Sequence, residues 1–202
     1  MTNRFPLATF ALCAFILCCS TWVNYEVNGS LLSKIRILDL QVYGGVTFQQ
    51  LSQGEFWRFF TAQFVHVRPI HMLSNVLSLA LLGYFVEKHL GRIKLLLLFF
   101  VAGGLGTLLS IIPVPAPFDI GTGASQAVFA LSAAAIILIV QKREPSVWLK
   151  AVLIMALLPA LSLDLIYAGY PKLGHIASFV LGLVLTLGFE YLTRSAKVAR
   201  AA

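Results

Sequence analysis

Six apolar runs dominate the chain: Pro6–Val23, His71–Val86, Ile93–Ile112, Ser125–Val140, Val147–Ile166 and His175–Glu190. Most approach the length that a helix needs to cross about 30 Å of hydrocarbon. No water reaches backbone N–H and C=O groups inside a bilayer, so segments of this kind must close their hydrogen bonds internally, as α-helices. Charged residues make up only 11% of the 202 residues, against about 25% in ordinary soluble domains. The expected class is therefore an all-α membrane protein, a six-transmembrane-helix bundle forming one domain over residues 1–202.

Six spans put both ends of the chain on one side, and the cations say which. Arg4, Lys88, Arg92, Lys94, Lys142, Arg143, Lys150, Arg194, Lys197 and Arg200 flank one set of span ends. Lys34, Arg36, Arg58, Arg68 and Lys172 flank the other, four of these five in a single long loop. Short loops decide orientation, so the termini are expected in the cytoplasm. This placement at helix ends accounts for the net charge of +7 without any nucleic-acid partner. Cys13, Cys18 and Cys19 lie inside the first run; they read as small hydrophobes, with no metal-ligand or disulfide spacing. The first run lacks an Ala-x-Ala cleavage site and is expected to be a retained helix. With no targeting extension ahead of it, a bacterial inner membrane is the expected location.

The external loops differ in character. Glu26–Ile70 is too long for a simple connector, so internal structure is expected there. It holds Phe56-Trp57-Arg58-Phe59-Phe60, a composition that suits the headgroup region, with the rings at the interface and the arginine reaching lipid phosphate. The other notable loop carries Pro113, Pro115 and Pro117, then Gly121 and Gly123. Its prolines end the third span, and its glycines let backbone approach closely before the fourth begins.

Counting back from the cytoplasmic end of each even-numbered span isolates three polar residues. His71 lies 16 residues before Glu87, Ser125 lies 16 before Gln141, and His175 lies 15 before Glu190. At about 1.5 Å per residue, each sits roughly 22–24 Å from the cytoplasmic boundary. All three are thus expected at one level below the outer surface, at helix N-termini. Polar groups at such depth are costly and mark a functional interior. Asn75, one turn beyond His71, shares its helix face. Gly174, Ser178 and Gly182 form a small-residue stripe beside His175, suited to close helix docking. If the docked neighbour is the fourth span, His175 meets Ser125, and Phe129, one turn on, lies against the imidazole.

Serine becomes a nucleophile when a base takes its proton, and histidine does this near neutral pH. Acyl transfer also needs donors aimed at a developing oxyanion. Ser125 as nucleophile, His175 as base, and the Ser125 N–H with the side chains of His71 and Asn75 as donors satisfy these needs. The only acids near His175 are Asp119 and Asp164, and no acidic partner for the base is evident. His66 reads as an external-loop residue and His89 as part of a cytoplasmic basic turn, both non-catalytic. A small transporter would line a path to both sides with polar groups, whereas these cluster in the outer half.

In these residues the chain resembles the rhomboid family of intramembrane serine proteases, in its minimal six-helix form. Trp57-Arg58 matches the family's Trp-Arg loop motif, and His71-Met72-Leu73-Ser74-Asn75 its His-x-x-x-Asn motif. Glu87-Lys88-His89-Leu90-Gly91 resembles the end of the second helix. Gly123-Ala124-Ser125 matches the Gly-x-Ser of the nucleophile motif, and Gly174-His175 through Gly182 resembles the helix that carries the base. The resemblance runs from Trp57 to Gly182. It implies a Ser125–His175 dyad, an oxyanion site at His71 and Asn75, and an aromatic ring, Phe129, packed on the base. It also implies hydrolysis of transmembrane protein substrates near the outer face through an acyl-enzyme, with no metal or cofactor. The fifth helix and the Tyr167–Leu173 loop would then serve as gate and cap. Two positions depart from the family pattern: Gln126 and Ser178 stand where glycine is usual. The alternative reading is a non-proteolytic rhomboid-like chaperone or substrate-binding scaffold; such relatives typically lack the serine or the base.

Overall fold

The computed structural model describes residues 5–143, 146–168 and 171–201. Arg4 and the Gly169–Tyr170 part of the expected cap lie outside the described residues. Nine α-helical segments follow in order among those described: α1 Leu7–Asn28, α2 Phe48–Ser52, α3 Arg58–Thr61, α4 Pro69–Leu90, α5 Arg92–Leu97, α6 Gly103–Ile111, α7 Ser125–Val140, α8 Val147–Ala168 and α9 Leu173–Ala201. A π-helical turn, Leu98–Ala102, joins α5 to α6, so that Arg92–Ile111 runs as one rod. Five helices are long and apolar enough to cross a membrane, and α7 is a shorter apolar helix of 16 residues. The protein is an integral, all-helical membrane protein.

Several helices outrun their apolar cores. α1 ends at Asn28, where the apolar run stops at Val23, and α9 continues to Ala201, beyond the end expected at Glu190. Hydropathy marks where a segment leaves hydrocarbon. Backbone hydrogen bonding does not stop there, and it carries these helices into the polar boundary.

Position in the bundle explains composition. α7 is hydrophobic all round because it is surrounded, with 13 of its 16 residues buried. It packs most extensively on α9, and also against α4, α6 and α8. α1 lies along α4, where the buried Glu87 carboxylate accepts the N–H groups of Ala8 (3.1 Å) and Thr9 (2.8 Å) and the Thr9 hydroxyl (2.8 Å). These first-turn N–H groups have no acceptor within α1, and a carboxylate is favoured at that end of the helix dipole.

The small-residue stripe of α9 divides between two neighbours. A Cβ on Gly182 would meet the Ala130 carbonyl of α7 at 2.5 Å, and one on Gly174 would meet the Gly106 carbonyl of α6 at 2.6 Å. Ser178, at the position where the family pattern has glycine, is accommodated because α6 presents Gly106 to it. A Cβ there would lie 1.7 Å from the Ser178 Oγ. The Ser178 hydroxyl instead donates to the Gly174 carbonyl at 2.8 Å.

The segment between α1 and α4 contains a 3₁₀ turn at Ile37–Gln41, then α2, α3 and a second 3₁₀ turn at Ala62–Phe64. An antiparallel bridge between Val46 and Gly121 ties it to the loop that precedes α7, through hydrogen bonds of 3.1 and 2.8 Å. Arg58 does not reach toward lipid. It is only 7% exposed and donates to the Glu55 carboxylate and to the carbonyls of Gln41 and Gly45, with its guanidinium 4.4 Å from the centre of the Trp57 ring. Three acceptors fixed by the fold hold the guanidinium in this loop. Phe56, Trp57 and Phe60 remain exposed.

Candidate active site

Gly123 sets the geometry of the loop that delivers the serine. Its φ of +92° is one that side chains rarely adopt, and its N–H donates to the Ala62 carbonyl at 2.8 Å. A Cβ at this position would lie 3.8 Å from His71 Nε2 and 3.6 Å from His66 Nε2, so the bare backbone faces both imidazoles. Ser125 is the first residue of α7, where the N–H groups of the first turn have no intrahelical acceptor. His71 stands in the first turn of α4 and His175 in the first turn of α9.

Helix docking brings Ser125 and His175 together. The Ser125 Oγ lies 3.1 Å from His175 Nε2, and both residues are buried. Phe129 stacks on the imidazole, with centroids 4.3 Å apart and planes within 5° of parallel. Gln126, also buried, places its Oε1 3.1 Å from the same serine oxygen. A hydroxyl has one hydrogen to give, so the glutamine carbonyl and the imidazole compete for it.

Asn75 lies in the same region, but its near partner is His66. Its amide nitrogen is 3.1 Å from His66 Nε2, which also accepts the Ala124 N–H at 3.2 Å. On the other side of that ring, Nδ1 is 2.9 Å from the Ser20 Oγ, whose own hydrogen goes to the Phe64 carbonyl at 2.7 Å. The hydrogen therefore sits on Nδ1, and Nε2 accepts. Burial, reinforced by nearby His71, pushes the His66 pKa down to about 3. His66 does lie in the loop between α1 and α4, but it is not exposed there: it is 3% exposed and joins α1, α4 and the serine loop. The Asn75 side-chain nitrogen carries two hydrogens, so one remains beyond that given to His66.

The expected absence of an acid beside His175 is corrected. Asp164 of α8 is 1% exposed, and its Oδ2 lies 2.6 Å from His175 Nδ1. That Oδ2 also accepts the Lys172 N–H at 3.0 Å, and Oδ1 is 3.3 Å from the Lys172 ammonium. The signal was present in the sequence: Asp164 is the only acid in the long apolar run of α8. An ionisable group in such a run implies a partner. Trp57 and Arg58 belong to the loop structure described above and are not among the groups gathered at Ser125. Among the described residues, no group of three His, Cys, Asp or Glu side chains is arranged to hold a metal ion.

The family model of the Rhomboid domain matches residues 53–191. The chain belongs to the rhomboid family. It is 30% identical to RHOMBOID-like protein 4 of Arabidopsis thaliana over 78% of this chain and 40% of that protein. It is 22% identical to the rhomboid protease AarA of Providencia stuartii over 97% of this chain and 78% of AarA. One relative is named as inactive: Inactive RHOMBOID-like protein 8 of Arabidopsis thaliana is 28% identical over 43% of this chain and 25% of that protein. The chain thus spans less than half the length of the two plant relatives.

Proposed function

We propose that this rhomboid is an intramembrane serine endopeptidase that cleaves transmembrane protein substrates near the outer face of the membrane. The single observation that carries the reading is the Ser125 hydroxyl at 3.1 Å from His175 Nε2, inside a helical membrane protein. Kinship with a bacterial protein named as a protease agrees with it.

In this reading the Ser125 Oγ attacks the scissile carbonyl as His175 Nε2 takes the hydroxyl hydrogen. The carbonyl π pair moves to oxygen. The Ser125 N–H, the free Asn75 N–H and His71 supply hydrogen bonds to that oxyanion. Collapse breaks the C–N bond, and His175 returns the proton to the departing amine. Water then adds to the acyl-serine by the same route, releasing the acid and restoring Ser125. Phe129 holds the plane of the base, and Gly123 keeps the approach to Ser125 clear. No metal or cofactor enters these steps. Lipids surround the apolar helices, and the reaction faces the side opposite the chain termini, the periplasmic side in a bacterial inner membrane.

The test is cleavage of a reporter transmembrane protein by purified protein in liposomes. Wild type cuts, while Ser125→Ala and His175→Ala each abolish cutting and keep the wild-type helical spectrum and melting temperature. Full activity in Ser125→Ala overturns the mechanism. Wild type that binds the reporter without cutting it supports the scaffold reading instead, which a relative named as inactive makes worth scoring.

A further inference from the structure

A histidine that serves as a base must hold its two ring nitrogens in different states. The nitrogen that faces the nucleophile needs a lone pair, and the other needs the hydrogen. In α9 alone nothing makes that choice for His175. α8 does, eleven residues earlier in the chain. Asp164 Oδ2 is 2.6 Å from His175 Nδ1, on the side of the ring away from Ser125. A carboxylate accepts, so the hydrogen belongs on Nδ1 and the lone pair of Nε2 points at the serine hydroxyl.

The carboxylate is itself held. Its two further contacts, with the N–H and the ammonium of Lys172, come from the residue just before α9. A carboxylate buried in an apolar helix is retained only where such partners exist. From this arrangement we infer that Asp164 is a positioning residue, the third member of a Ser125–His175–Asp164 triad. It fixes the imidazole tautomer and stabilises the imidazolium that forms when Ser125 gives up its proton. The proton stays on His175, and Asp164 remains charged throughout. This inference rests on the proteolytic reading above.

A merely structural role is the competing account, with Asp164 only fastening the start of α9 to α8 through Lys172. Asp164→Asn separates the two. It keeps the size and an acceptor for the Lys172 N–H, but it removes the charge and permits the wrong tautomer. Reporter cleavage in liposomes should show kcat lower by about 10³–10⁴-fold, the range supplied by the aspartate of soluble triads, with KM nearly unchanged. Asp164→Glu should recover part of that loss. The titratable groups facing His175 are Asp164, Lys172 and His71. Of their charges the Asn variant deletes only the negative one, so the midpoint of its residual pH–rate profile should move to lower pH. Wild-type kcat with an unshifted profile would overturn the triad.

A second measurement covers the case in which the Asn variant fails to fold. In wild-type protein labelled with ¹⁵N-histidine, the His175 signals should report hydrogen on Nδ1, and hydrogen on Nε2 in the neutral ring overturns the inference. Ser125→Ala is assayed alongside. If it still cleaves, the proteolytic reading has failed; if it is dead while Asp164→Asn matches wild type, only the triad has.

Discussion

Phe129 lies flat against His175, its ring centroid 4.3 Å from that of the imidazole and its plane within 5°. The two residues come from α7 and α9, so the stack locks the base to the helix that carries Ser125. Phe129→Leu keeps apolar volume but gives up the flat wall. Its cleavage rate should fall by about 10- to 100-fold, because small errors in the placement of reacting groups cost that much. Helicity should be retained. A rate within twofold of wild type would mean that Asp164 and the backbone hold the ring without help.

Gln126 makes the opposite contribution. Its carbonyl oxygen takes the Ser125 hydrogen at 3.1 Å, the same distance at which His175 waits for it. A net hydrogen bond is worth about 0.5–1.5 kcal/mol. Gln126→Gly should therefore raise the rate of Ser125 labelling by a fluorophosphonate by between about twofold and tenfold. A fall in labelling would show instead that the amide helps to build the site.

His66 gives the protein an acid limit. In the unfolded chain it takes up a proton near pH 6.5, whereas the folded protein refuses one until about pH 3. Between those values the unfolded state binds more protons, so stability falls as pH falls, by up to about 1.4 kcal/mol per unit. The contribution is whole above pH 6.5 and fades through the window below it. Melting curves in detergent at pH 7 and pH 4.5 should separate wild type from His66→Gln. The variant starts less stable but loses less on acidification. Equal losses in both proteins would remove His66 from the account.

Arg58 anchors the loop between α1 and α4 through the Glu55 carboxylate and two carbonyls. Lysine keeps the charge but lacks the planar fork. Arg58→Lys should lose at least one charge-assisted hydrogen bond, about 1.5–3 kcal/mol. The readout is faster proteolytic nicking within residues 29–57, with α4 to α9 intact. An unchanged nicking rate would argue that the Trp57 stack and the Val46–Gly121 bridge suffice.

What could be read from the chain alone followed the range of the physics involved. Apolar length and helix-start signals act locally, so Ser125, His71 and His175 could be placed at helix beginnings, and Asn75 one turn below His71, by counting. Gly123 could be read as a point of close backbone approach before the helix, while its left-handed turn shows only in the fold. Asp164 could be seen as an acid in an apolar run, but its partner depends on how α8 docks against α9, which no local rule contains. His66 could be placed in a loop, but its burial could not be read for the same reason: it is made by Ser20, Asn75 and Ala124, distant in sequence. Arg58 was misread because a cation among aromatics fits either a headgroup or a set of carbonyls. Only the folded loop shows that the carbonyls are within reach.

The burial of α7 has a consequence for how the protein meets different bilayers. A helix of 16 residues is too short for the hydrocarbon thickness, and if it touched lipid the mismatch would tilt it or thin the membrane around it. With 13 of those residues covered by other helices, that stress falls on the outer ring of the bundle. Lengthening the acyl chains of the host membrane should therefore strain α1 and α8 well before it displaces the serine.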